Sequence, residues 1–118
     1  MPDIVEPAII ESWHAHVYYD PATTRPVAAD LRAAVEARFP VTMGRWHDVL
    51  VGPHPQAMYQ IAFANEVFPE IVAFLALNRG GLAILVHPET GHERIDHRDR
   101  ALWMGEVLTL DLSKLKPE

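Results

Sequence analysis

The sequence predicts an α+β protein of the ferredoxin-like βαββαβ type, an antiparallel sheet with two helices on one face and a C-terminal extension. Three observations predict it. Residues 12–19 alternate apolar and polar with the period of a strand, and residues 27–39 and 68–75 repeat apolar side chains at helical spacing. Around these two helices the remaining strand-like runs fall in the order strand, helix, strand, strand, helix, strand. A chain of 118 residues, 49% of them apolar, is the size of one domain, here taken as 1–118.

Pro2 and Pro7 make residues 1–10 an arm. The first strand, Ser12 to Tyr19, places Trp13, Ala15, Val17 and Tyr19 on one face and Ser12, His14, His16 and Tyr18 on the other. Asp20–Pro21 turns the chain, Thr23 or Thr24 caps a helix, and Pro26 fits its first turn. Val27, Leu31, Ala34, Val35 and Phe39 form its apolar stripe, and Pro40 ends it. Arg45 to Val51 reads as a second strand with Trp46 and Leu50 on one side, and Gly52–Pro53–His54–Pro55 as the turn of a hairpin. Ala57 to Ala64 is then the third strand. A second helix begins between Asn65 and Pro69, buries Phe68, Ile71, Val72 and Leu75, and stops at Gly80–Gly81. Leu82 to His87 is a nearly continuous apolar strand. Residues 88–100 read as a polar loop or short helical excursion, and Val107 to Leu112 as a last edge strand. With both helices on one face, the other must be solvated, covered by the tail, or buried against a second subunit.

The net charge of −6 argues against non-specific nucleic-acid binding, which needs a basic surface. The chain has no cysteine, so disulfides, thiolate catalysis and iron–sulfur ligation are excluded. No apolar run approaches the roughly 18–20 residues of a membrane span. The N-terminus lacks the positive region of a signal peptide, and a cytoplasmic location is expected.

Seven histidines carry the chemistry. The pair His14–Ala15–His16 puts two imidazoles on one strand face, spaced for one metal ion. In the predicted topology the first and fourth strands are antiparallel neighbours, which brings His87 to that pair. A metal held by His14, His16 and His87 is the sharp reading; polar display on a wet strand face is the bland one. Glu11, Glu89 and Glu106 are candidate carboxylate ligands. His47 falls at the same end of the sheet, and His97 can fold back there. His54, on the hairpin, falls at the opposite end. Held between prolines, it suits proton transfer or substrate contact. His97, with His92, Asp96 and Asp99 nearby, suits general acid–base work or is a solvated loop. Arg45 can pair with a substrate carboxylate. Tyr18 and Tyr59 can line an aromatic pocket, and Trp103 and Met104 can wall it from water. No G-x-G-x-x-G, Walker A, G-x-S-x-G or H-E-x-x-H motif is present.

Taken in order, His14-Ala-His16-Val-Tyr18-Tyr19, Gly44-Arg45-Trp46-His47-Asp48, Gly52-Pro53-His54, Met58-Tyr59-Gln60, Leu85-Val86-His87-Pro88 and Asp96-His97-Arg98-Asp99 leading into Leu102-Trp103-Met104-Gly105-Glu106 resemble the DOPA 4,5-dioxygenase family over residues 12–112. The resemblance implies an extradiol dioxygenase that uses Fe(II), or another divalent metal, to insert O2 into a catechol such as DOPA. It implies partners limited to the small aromatic diol and O2, and a homodimer. It implies metal ligation by His14, His16 and His87, proton-transfer or substrate roles for His54 and His97, and substrate contact by Arg45, His47, Tyr59 and Trp103. The competing classes are a non-catalytic metal- or small-molecule-binding module on the same fold and a zinc-dependent hydrolase or isomerase.

Overall fold

A computed structural model describes residues 3–117. The strands are β1 (Ser12–Tyr19), β2 (Thr42–Met43), β3 (Ala57–Phe63), β4 (Ile84–Glu89) and β5 (Leu102–Met104); the helices are α1 (Arg25–Arg38), α2 (Phe68–Asn78) and α3 (Glu93–Arg98). They build one sheet in the order β2-β3-β1-β4-β5, with every pairing antiparallel. The ferredoxin-like α+β architecture is therefore present, widened by β5 at one edge.

The expected division of β1 holds. Ala15, Val17 and Tyr19 enter a core with Tyr59, Ile61 and Phe63 of β3, Ile84 and Val86 of β4, Ala28, Leu31 and Val35 of α1, and Ile71 and Leu75 of α2. Each fully buried large aliphatic there contributes roughly 1.5–3 kcal/mol of burial free energy. Thr24 takes the N-cap position of α1, and its hydroxyl accepts from the Asp20 amide instead of capping the helix. After α2, Gly80 adopts φ +61°, and a Cβ there would stand 2.7 Å from Val27 Cγ1, so a glycine is required.

The second strand departs from expectation. Residues 45–51 do not form it; β2 is Thr42–Met43, followed by an isolated bridge from His47 to Met58. Gly44 N donates to Gln60 O and His47 N to Met58 O, so Arg45 and Trp46 together oppose Tyr59 alone. This is a bulge, which bends the chain away from the ladder. Trp46 packs edge-on against Tyr59, and the Tyr19 hydroxyl and Arg25 Nε both donate to Asp48 Oδ1. Beyond Asp48 the chain leaves the sheet, and Leu50, expected beside Trp46, is 61% exposed.

The last strand is also displaced. The edge strand is β5, and residues 107–111 run as an irregular strap after Gly105 turns the chain at φ +83°. Leu108 and Leu110 pack with Ala101 and Trp103 on Tyr18, Met58 and Leu85. Asp111 N donates to Pro53 O and joins the strap to the 44–56 segment. The chain itself thus covers the Tyr18, Met58 and Leu85 part of the open sheet face, while Ser12, His14, Gln60 and Ala62 stay partly exposed. Among the described residues, no helix is long and apolar enough to cross a membrane.

Candidate metal centre

The helix-free face carries the site. His14 lies directly opposite His87 in the β1–β4 register, and His16 follows His14 on the same face. One ring nitrogen from each of the three lies within 4.8 Å of the others, and among the described residues this is the cluster with the spacing of metal ligands. His16 and His87 are buried and His14 is partly exposed.

Hydrogen bonds set the ring orientations. A carbonyl only accepts, so His87 Nδ1 donates to Pro88 O at 3.0 Å and leaves the Nε2 lone pair facing the cluster. His14 Nδ1 lies 3.1 Å from Glu89 Oε1, and His87 Nδ1 lies 3.5 Å from the same oxygen. Glu89, two residues after His87, therefore sits behind both rings, in the place of an outer carboxylate that orients ligating histidines. Its own pKa is held low, first by the hydrogen bond from His14. Glu11 and Glu106 are exposed.

His16 Nε2 stands 3.0 Å from His87 Nε2, while His16 Nδ1 is buried without a hydrogen-bond partner. Two imidazoles bound to one ion at about 2.0–2.1 Å, at roughly a right angle to each other, place their nitrogens about 3 Å apart. The cluster has more buried lone pairs than N–H groups to meet them, and a cation relieves that excess. Protonation is disfavoured. Burial first, then His54, His87, His97 and His14, hold the His16 pKa well below its ordinary value. Burial and then His97 hold His87 at about 4. The donor set is all nitrogen, suited to iron, zinc, copper or nickel.

Two more histidines complete the pocket. The His97 ring centroid is 3.9 Å from that of His87, and His97 Nδ1 donates to Glu93 O at 2.7 Å, so its Nε2 is free to accept. His54 was expected at the far end of the sheet. Because the 48–56 segment is a returning loop and not the tip of a long hairpin, its ring instead lies 4.3 Å from His16, with Nδ1 2.7 Å from the Tyr18 hydroxyl. Burial and then His97, His87 and His47 hold the His54 pKa at about 4. Sequence reasoning did not foresee this Tyr18–His54 pair; the parity of β1, which puts Tyr18 on the face of His14 and His16, was the available signal.

The remaining expectations divide. Trp103 lies opposite Leu85 on the site face and stacks over Tyr18 at 6.0 Å. With His97, Arg98, Val107, Leu108, Leu110 and Leu112 it lines a cavity of about 190 Å³. His47, opposite Met58, is half-buried at the margin of the site. Arg45 is exposed on the bulge. Tyr59 belongs to the other face: it pairs with Val17, and its hydroxyl donates to Ala28 O beneath α1, which makes it a core residue. Met104 likewise packs into the helix-side core, because only alternate residues of β5 reach the site.

Fold and site together define a histidine cluster able to hold a metal ion on a ferredoxin-like sheet, with a largely apolar cavity reaching it at His97. The chain belongs to the Dopa 4,5-dioxygenase family, whose sequence profile matches residues 13–114. It is 37% identical over 114 residues to a DOPA 4,5-dioxygenase of Amanita muscaria, covering 90% of this chain and 50% of that protein. It is 40% identical over 98 residues to an uncharacterized 21.2 kDa protein of Botryotinia fuckeliana, covering 75% of this chain and 54% of that protein. The chain thus spans about half the length of these curated relatives. It superimposes with a TM-score of 0.92 on the crystal structure of a Nostoc punctiforme PCC 73102 protein provisionally described as a dioxygenase, at 48% identity over 94% of this chain and 96% of that one.

Proposed function

We propose that this chain is an extradiol ring-cleaving dioxygenase that inserts O2 into a catechol of the DOPA type, with Fe(II) held by His14, His16 and His87. The observation that carries the reading is the convergence of three imidazoles from adjacent strands, backed by Glu89, with two further imidazoles facing the same point. The bound ion supplies Lewis acidity that lowers a catechol hydroxyl pKa, and redox capacity for dioxygen chemistry.

The chain's own groups do the rest. His97, with Nδ1 tied to Glu93 O, presents Nε2 to accept the second catechol proton. His54, held by the Tyr18 hydroxyl, is neutral near pH 7 and hydrogen-bonds substrate from the other side. Trp103 and the leucines of the strap exclude water from reactive species. The cavity volume suits a single aromatic ring.

The test is anaerobic reconstitution with ferrous iron, followed by oxygen uptake against a panel of catechols that includes DOPA. The expected result is equimolar consumption of catechol and O2 with a yellow product, abolished by chelation. Stoichiometric metal binding with no oxygen uptake across the panel would make the protein a binding module instead.

A further inference from the structure

We infer that Asp96, through a buried bridge to Thr90 and Arg100, is a positioning residue that holds the His97 ring against the histidine cluster. This rests on the proposed function only for the role of His97 in turnover.

The six-residue helix α3 has no means of placing itself. Isolated helices shorter than about 12–15 residues are marginal in water. Its buried residues are not an apolar stripe but Asp96 and His97. Something polar must therefore fix it. The Asp96 carboxylate, 2% exposed, accepts from Thr90 N at 2.8 Å, from Thr90 Oγ1 at 2.8 Å and from Arg100 Nη1 at 3.0 Å. Arg100 Nη1 also donates to Thr90 Oγ1 at 2.9 Å. Thr90 directly follows β4, three residues beyond His87. The bridge thus ties the helix carrying His97 to the strand carrying His87, whose rings are 3.9 Å apart.

The other end of α3 is tied to the C-terminal strap, where Lys116 N donates to Glu93 Oε2 and Arg94 Nη2 to Leu115 O. Glu93 O in turn holds the His97 ring. Asp96 itself is no proton acceptor for substrate, since its oxygens are engaged by β4 and Arg100. A buried ion pair adds little net stability over apolar side chains of the same size. What this one supplies is geometry.

A double-mutant cycle tests this on the iron-reconstituted enzyme, using a catechol the wild type turns over. Asp96→Asn keeps the side-chain shape but puts an NH2 donor in place of one carboxylate oxygen, so it cannot accept from Thr90 N, Thr90 Oγ1 and Arg100 Nη1 together. It is expected to lower kcat about 10–100-fold, the range for loss of an outer-shell partner, with KM little changed. Added to His97→Gln, it is expected to lower kcat no further. Wild-type kcat in Asp96→Asn, or losses that multiply in the double variant, would overturn the proposal. Thr90→Val removes the hydroxyl bridge without burying an amide and is read the same way should Asp96→Asn not fold. An independent measurement is the ring-nitrogen NMR spectrum of His97. A single Nδ1–H tautomer in the wild type that becomes mixed in Asp96→Asn or Thr90→Val supports the bridge, and an unchanged spectrum refutes it. This readout needs no turnover, so a wild type that consumes no catechol would refute the proposed function while the NMR result still decides the role of Asp96.

Discussion

On one side of β1, Ala15, Val17 and Tyr19 pack under two regular helices; on the other, His16 and Tyr18 lie under the irregular 44–56 and 105–115 segments, while His14, nearer the start of the strand, stays partly exposed. The centre of the strand is buried on both sides, but by different means. Beneath the helices the core is apolar, the Tyr59 hydroxyl finds a helix carbonyl, and the Arg32 guanidinium, whose Nη1 is buried without a hydrogen-bond partner, lies over the Trp46 and Tyr59 rings. Beneath the loops, polar rings are buried together, and His16 Nδ1 has no partner at all. A protein accepts such a cost where a ligand will meet it. The dry face holds the fold together, and the histidine face is where an added ion has something to gain.

Substitutions on the two sides should separate these tasks. The largest effect is expected from His87→Ala, which removes a central ring of the cluster. Metal retained after reconstitution should fall below detection, and oxygen uptake should drop by more than the ~10–100-fold typical of outer-shell losses; the helix content by circular dichroism should stay. On the opposite face, Leu75→Ala opens a cavity under α2 and should cost roughly 2–5 kcal/mol in denaturant titration, while the folded fraction binds metal as the wild type does.

Between pH 6.5 and 4, acid should act chiefly through the histidine face. His54 and His87 take a proton only near about 4 when folded, whereas an unfolded histidine takes one near 6.5. The unfolded chain therefore binds more protons between these values. Stability of the chelated protein should be full above pH 6.5 and fall as the pH is lowered toward 4. The urea midpoint measured across this range checks it, and a midpoint that rises on acidification would contradict the neutral, buried rings. The smallest effect is expected for Leu50→Ser, on the exposed part of the 48–56 loop: within about 0.5 kcal/mol by thermal denaturation, where a residue on a core-facing strand would lose several times more.

Much of this was legible in the chain. The alternation of β1 assigned both faces correctly, and the topology alone brought His87 to His14 and His16. Tyr59 was misplaced although the information was present: Ala57, Tyr59, Ile61 and Phe63 are the apolar phase of their strand, so Tyr59 had to face the helices. The bulge at Arg45 and Trp46 was not legible, because a single extra residue leaves no periodic trace and Trp46 satisfies either register. From that error followed the misplacement of His54, whose position depends on where the loop leaves the sheet and on a backbone bond between Asp111 and Pro53 that no side chain encodes. The edge strand was placed too late for a similar reason. Val107 to Leu112 alternates like a strand, yet the strap packs its leucines onto the neighbouring face without joining the ladder.

The alternating pattern of β1 also limits how the gene can change. Deleting or inserting one codon there would rotate every later side chain by half a turn, sending Ala15 and Val17 toward the cavity and the imidazoles beneath α1 and α2. Substitutions can tune either side independently, but length is locked. Descendants of this sequence should therefore diverge in their loops and keep the spacing inside that single central segment.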